Sequence, residues 1–291
     1  MSSPLTCVLD ARASLGECPV WSHAEQVLFW VDINAPALNR FDPATGHNTV
    51  MPMPAAIGCF ALRERGGFVV ALRDGIWLAR TDGTLERRIA AAPYDPATHR
   101  FNDGRCDRQG RFLAGAMNEK RDASNAALWR VDADHSITRV LDAMMISNGL
   151  AFSPDGRTMY HADTPTRTVR AFNYDTATGT PTAPRTFAQF TAEGDRPDGG
   201  AIDSAGNYWT AFYRGGKVLQ ISPAGVTLAE FEVPALCPTM CAFGGPDLRT
   251  LYVTSARQHR EADELARLPY SGGIFSMRVD TPGLPESLFA G

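Results

Sequence analysis

A nine-residue pattern recurs six times along the chain, and no other feature limits the possible folds as strongly. Its clearest copies are NDGRCDRQG (102–110), NGLAFSPDG (148–156) and DGGAIDSAG (198–206); each opens on a polar residue, carries an apolar residue at the fifth position and ends on glycine. Weaker copies are GCFALRERG (58–66), ECPVWSHAE (17–25), which lacks the final glycine, and TMCAFGGPD (239–247). Short strand-like runs bounded by Gly, Pro and Asp follow each copy, among them VLFWVDI, GFVVAL, RFLAGAM and NYWTAF, and helical periodicity is almost absent. The copies start at 17, 58, 102, 148, 198 and 239, so the period is 41 to 50 residues. Units of that length with about four short strands are propeller blades. The expectation is an all-β, six-bladed β-propeller with a central channel, forming a single domain over residues 1–291. The run LTCVLDA (5–11) is expected to pair with strands near the C-terminus, completing the last blade and removing an open edge.

Composition narrows the partners. With 44% hydrophobic and 21% charged residues the chain can bury a large core, and its net charge of −4, without runs of Arg or Lys, gives no footprint for nucleic acid. The first residues lack a basic start and an apolar core, and the longest apolar stretches, such as VLFWV and FVVAL, are strand-sized. This leads to the expectation of a cytoplasmic monomer with a small-molecule substrate and neither a nucleic-acid nor a membrane partner. Six cysteines lie scattered, CPTMC (237–241) matching no common zinc spacing, and they read as small buried hydrophobes.

In a propeller the first strand of each blade lines the channel, so the first residues of the repeat form a ring at its mouth. That ring reads Glu17, Gly58, Asn102, Asn148, Asp198 and Thr239. Two carboxylates and two amides on one axis are costly to desolvate, and hard oxygen donors select a divalent cation. Either Glu17, Asp198, Asn148 and Asn102 converge on a metal, or they bond to backbone across a wet channel. No histidine occupies the ring, which disfavours a His-rich zinc site. Arg100, two residues before Asn102, can donate paired hydrogen bonds to an oxygen-rich ligand. Asp103 is expected to serve the local turn, Glu119 to sit in solvent within reach of the mouth, and His99 to stand near it.

The segments LGECPVW, RFNDGRCDRQGRFLAGAM, ISNGLAFSPDG, RPDGGAID, CAFGGPDLRTLYVTSAR and YSGGIF, in this order from about Ala11 to the C-terminus, resemble the gluconolactonase and regucalcin (senescence marker protein) family. The resemblance implies a six-bladed propeller with one divalent metal ion (Ca²⁺, Zn²⁺, Mn²⁺, Mg²⁺ or Fe²⁺) and hydrolysis of a sugar-acid lactone, such as gluconolactone or a pentonolactone. It implies Glu17, Asn148 and Asp198 as metal ligands, and Arg100, Asn102 and Glu119 as substrate contacts, which moves Asn102 out of the ligand set. Two departures stand out. Cys18 replaces a small residue beside Glu17, and NEKRDASNAAL (118–128) is shorter than in the animal proteins, so the cover over the mouth differs.

On that reading the metal polarises the lactone carbonyl, and Asp198 is the base that takes a proton from the attacking water, with Glu17 the second choice. SNGLAFS lacks the nucleophile-elbow pattern, and the histidines fall mostly in loops and outer strands, so no Ser-His-Asp reading competes. Two other functions fit the same scaffold: a metal-dependent esterase or phosphotriesterase, and a non-enzymatic calcium-handling or interaction propeller. The polar groups Arg100, Asn102 and Glu119 favour sugars over bulky esters.

Overall fold

A computed structural model, which describes residues 4–291, shows six four-stranded antiparallel sheets, each built from one copy of the repeat. Blade one comprises Gly16–Ser22, Val27–Asp32, Ala37–Asp42 and His47–Pro52; blade two, Ile57–Leu62, Phe68–Leu72, Gly75–Ala79 and Leu85–Ala91. Blade three comprises His99–Cys106, Phe112–Asn118, Ala126–Val131 and Ile137–Met144; blade four, Ser147–Phe152, Thr158–Asp163, Thr168–Asp175 and Thr180–Gln189. Blade five comprises Pro197–Ile202, Tyr208–Phe212, Lys217–Ile221 and Thr227–Glu232. Blade six takes three strands from the end of the chain, Pro238–Gly244, Thr250–Ser255 and Ile274–Arg278, and its outer strand, Thr6–Leu9, from the beginning. The chain thus closes its own ring, as expected of LTCVLDA, and the six-bladed propeller is the observed fold.

The sixth and last positions of the repeat have a structural reason. The sixth residue caps the turn into the second strand: Asp107 accepts the backbone N–H groups of Gln109 and Arg111, Asp203 those of Ala205 and Asn207, and Ser153 that of Thr158. The final glycine takes the left-handed backbone that this turn demands, as at Gly110 (φ 77°) and Gly156 (φ 71°). Blades one and six, which lack it, place Gln26 and Leu248 in that conformation one residue later. The inner strands are almost wholly buried, whereas outer strands such as His47–Pro52 show mostly exposed side chains. Aromatic residues from neighbouring sheets fill the spaces between blades, with Phe68 of blade two packing edge-on against Phe29 of blade one.

At the same place in all six inner strands, next to the ring position, the register slips by a β-bulge. A bulge bends its strand and re-aims the side chains beside it. The ring residues therefore point along the mouth of the channel instead of into the flat of a sheet. On the opposite face the C-terminal segment laces the blades together. Phe289 exchanges backbone hydrogen bonds with Leu62 and Glu64, Ala290 donates to Gly110, Gly283 donates to Leu248, and Ser204 donates to Pro282. A single α-helix, Ala262–Arg267, lies in blade six among the described residues, and no helix there is long and apolar enough to cross a membrane. All six cysteines are free and five are buried.

Two ring positions serve the fold. The Thr239 hydroxyl donates to the carbonyl of Gly16, joining blades six and one where the ring closes. Gly58 is forced by proximity, since a Cβ there would lie 2.2 Å from the carbonyl oxygen of Phe101 in blade three. We expect Gly58→Ala to lower the unfolding free energy by about 1–3 kcal/mol, the usual penalty for overpacking. Urea denaturation of the two proteins checks this, and equal midpoints would mean that blades two and three do not meet so closely.

Candidate functional site

The antiparallel order within each blade puts the start of the inner strand beside the end of the second strand, so the loops leaving second strands surround the ring. Together they enclose a cavity of about 370 Å³. Glu17, Arg100, Asn102, Asn148 and Asp198 all line it, and all five are buried, Glu17 at 8% exposure and Asp198 at 5%. Sequence reasoning thus assembled five residues from blades one, three, four and five that are distant in the chain.

The two carboxylates have few partners. Glu17 accepts one long backbone hydrogen bond, from Cys18 at 3.3 Å, and no side chain among the described residues donates to either group. Burial, followed by the negative charge of Asp103, pushes Glu17 up to about 8. Burial, with Glu17 and then Asp103 adding repulsion, raises Asp198 well above the usual carboxylate range. Asp103 does not serve its own turn; its Oδ2 accepts the Leu150 N–H of blade four at 2.9 Å, while its Oδ1 is buried without a partner. Cys18 takes a left-handed backbone (φ 47°) just after Glu17, as Gly149 (φ 62°) does just after Asn148, and its Sγ packs on the carbonyls of Phe60 and Gly104.

The amide of Asn148 is oriented by its neighbours. The Thr164 hydroxyl spends its one proton on the carbonyl of Pro197 at 2.7 Å, so towards Asn148 it can only accept. Asn148 therefore presents Nδ2 to Thr164 at 2.8 Å and turns Oδ1 to the other side, where Asn102 Nδ2 donates to it at 2.8 Å. A second lone pair on that oxygen remains to be used. Two underpartnered buried carboxylates lining the same cavity as one fixed amide oxygen offer an all-oxygen donor set with surplus negative charge, which is the chemistry that holds a divalent cation. The residues present fit such an ion.

Arg100 donates from Nη1 to its neighbour's carbonyl (Phe101, 2.8 Å) and to Asn102 Oδ1 (2.8 Å), leaving Nη2 without a hydrogen-bond partner among the described residues. Glu119 stands apart from the other sequence candidates. It does not line the cavity; its two oxygens receive Arg73 Nη1 and Nη2 at 2.7 and 2.9 Å, and its Oε1 lies 3.6 Å from Arg100 Nε. The Arg73 hydrogen bonds hold it below the ordinary range, so it is an anion behind Arg100. His99 is buried between Thr98 and Asn125, away from the cavity. His161 is buried as well, bonded to Ser147 Oγ at 2.8 Å, unlike the exposed His23, His47 and His259. Several cavity residues lie outside the sequence expectation: Thr164, Tyr213, Arg121, Arg167 and Arg196. Only Arg196 carries a signal in the repeat, standing two residues before Asp198 as Arg100 stands before Asn102.

Comparison with known proteins is consistent with this geometry. The profile of the SMP-30/gluconolactonase/LRE-like region matches residues 15–257. Over the full length of both chains the sequence is 50% identical to the 6-deoxy-6-sulfogluconolactonase of Pseudomonas putida. It is 35% identical to regucalcin of Xenopus laevis, covering 100% of this chain and 99% of that one. Among solved structures, the calcium-binding protein regucalcin of Agrobacterium tumefaciens superposes with a TM-score of 0.94 at 29% identity, over 100% of this chain and 98% of that chain.

The raised acids set a pH dependence for protein freed of divalent ions by a chelator. Glu17 is at about 8 when folded against 4.5 in a free chain, so the folded state keeps a proton that the unfolded state has shed. Stability is then full below pH 4.5 and falls as pH rises towards 8. Thermal melts across that window should show Tm declining for the wild type and declining less for Glu17→Gln, which should be the more stable protein at the alkaline end. Parallel melting curves for the two would remove Glu17 as a source of strain.

Proposed function

Because the chain belongs to the SMP-30/gluconolactonase/LRE-like family, we propose that it hydrolyses a sugar-acid lactone in this cavity with the aid of one divalent cation. The observation that carries the reading is the pair of buried, underpartnered carboxylates, Glu17 and Asp198, lining the same cavity as the fixed oxygen of Asn148. The names of relatives support it from outside the site: one is a sulfogluconolactonase, and another, regucalcin, is described as calcium-binding.

Glu17, Asn148 and Asp198 would hold the cation, which when bound supplies Lewis acidity and balances the charge of the two acids. Asp198 takes the proton of the attacking water. Burial and the charge of Glu17 raise its proton affinity, which suits a proton acceptor, although Glu17 is raised by burial and by Asp103 in the same way. Glu17 is the second candidate for that role. Arg100 and Asn102 orient the hydroxyls of the substrate, Arg100 through Nη2, and a lactone lacking those hydroxyls would leave buried donors unpaired. Glu119, together with Arg73, fixes the plane of the Arg100 guanidinium from behind and so reaches the substrate through Arg100. The polar character of these groups favours sugar lactones over bulky esters. A single domain over the chain and a monomer remain part of the proposal.

The test follows acid release from gluconolactone and five-carbon lactones, corrected for spontaneous opening, with chelated protein before and after divalent ions are restored. Turnover should vanish on chelation and return with metal. Asp198→Asn should lose about 10²–10⁴-fold in kcat, the usual contribution of a general base. Wild-type turnover by Asp198→Asn at full metal occupancy would exclude Asp198 as the base, and turnover indifferent to chelation would exclude the cation.

A further inference from the structure

Four guanidinium groups line the cavity, those of Arg100, Arg121, Arg167 and Arg196, and only Arg100 has a function in the reading above. Some arginines elsewhere are matched with acids, as in Arg111–Asp107, Arg130–Asp132 and Arg278–Asp247, and others, such as the exposed Arg157 and Arg170, are not; what sets the other three apart is that they line the cavity. Among the described residues Arg121 and Arg196 have no ion pair and no side-chain hydrogen bond, and Arg167 has one, from Nη1 to the carbonyl of Thr191 at 3.1 Å. The chain has 32 acidic against 28 basic residues, yet among the described residues no acid pairs with any of the three at this rim.

Their placement is ordered by depth and by side. Glu17 and Asp198 are deeply buried, Arg167 and Arg196 are half-buried, and Arg121 is exposed, so the cations stand between the acids and solvent. All three come from one arc of the propeller. Arg121 follows the second strand of blade three, Arg167 follows the second strand of blade four, and Arg196 leads into the inner strand of blade five. Across the cavity, blades six and one contribute no cation to the lining, only Gln258, Leu15 and the acid Glu17. Backbone geometry adds a separate observation. Arg121 (φ 57°) and Arg167 (φ 55°) both occupy the left-handed region, where glycine or asparagine would sit with less strain. A turn alone does not call for arginine at either position.

A neutral sugar lactone gives two half-buried cations and a third at the rim nothing that amides would not also give. A tetrahedral or planar oxyanion accepts the paired hydrogen bonds of a guanidinium fork and neutralises its charge. We infer that the cavity is built for a lactone that carries a tetrahedral oxyanionic group, sulfonate or phosphate, at the end remote from its carbonyl, held by Arg167 and Arg196 with Arg121 at the rim. The lactone ring then lies over Glu17, Asn148 and Asp198 while its charged end reaches the cationic arc. This inference takes the lactone ring from the proposed function; the preference for a charged tail stands on the arginines alone.

The test separates the two. Calorimetry in the presence of a divalent ion compares gluconate with 6-deoxy-6-sulfogluconate and 6-phosphogluconate, stable acids that differ only in the terminal group. The wild type should bind at least one charged-tail acid about tenfold or more tightly than gluconate, and added salt should shrink that ratio. The preferred acid identifies sulfonate or phosphate as the group. In Arg167→Gln/Arg196→Gln the ratio should fall about tenfold, with the matching ratio of kcat/KM for the corresponding lactones falling through KM. Equal binding of all three acids by the wild type would overturn the inference without needing any variant, as would a ratio unchanged in the double variant. A retained binding ratio with no lactone hydrolysed would sink the lactonase reading and leave the anion site standing. Hydrolysis that favours the neutral lactone would do the reverse.

Discussion

Glu17 and Asp198 are two like charges brought together in the driest part of the molecule, and much of the rest of the structure can be read as what makes that tolerable. Burial raises the proton affinity of both, Asp103 adds its negative charge to each, and Glu17 raises Asp198 further. Arg100 is the cation that opposes them, but it also lies against Glu119. A chain free to relax would swing one acid out to solvent. The propeller prevents this because each acid sits at a bulge in a buried inner strand, and those strands are locked to their neighbours around a closed ring. Electrostatic strain of this kind is stored where the scaffold over-determines it, and under the proposed function a bound cation would relieve it.

A directed chain of hydrogen bonds holds the remaining polar groups in one arrangement. Arg100 can only donate, so Asn102 must receive it on Oδ1 and donate from Nδ2, to the carbonyl of Ser147 and to Asn148 Oδ1. Asn148 then donates to Thr164, which donates to Pro197, the residue before Asp198. The orientation of Asn148 is thus imposed from both ends, by a guanidinium without acceptors and by a hydroxyl with one proton. The chain crosses blades three, four and five. It connects the residues proposed to read the substrate with those proposed to hold the ion, so displacing one member disturbs the others.

How much of this was legible in the sequence follows from what the repeat encodes. The starts of the six copies fall on inner strands and gave the ring, the closure by Thr6–Leu9 and the turn residues, because each depends on backbone geometry that every blade must repeat. The repeat could not separate Gly58 and Thr239 from the other ring members, since their roles depend on contacts between blades. It also placed Glu119 only near the mouth, when the side chain turns away to Arg73 of blade two. Thr164 and the lacing C-terminal segment lie outside the repeating unit and left no periodic trace.

The irregularity of the period itself carries information. Copies separated by 41 residues bound blades one and five, whereas 46 and 50 residues separate the copies that bound blades three and four. Part of the surplus lengthens the outer strand Thr180–Gln189, and the rest falls in loops on the cavity face, 119–125 and 190–196. Those loops carry Arg121 and Arg196, and Arg167 lies between them in blade four. A blade of minimum length has turns just long enough to join its strands. Extra length appears where a loop must reach over the channel: on the arc that holds the unpaired cations and, longest of all, in residues 256–273 of blade six, which include the helix Ala262–Arg267. The inner strands keep a common geometry because they fix the acids, while loop length is free to vary around the rim. Under the proposed function the constant part of the repeat positions the acids, and the departures from it set the rim that a substrate would meet.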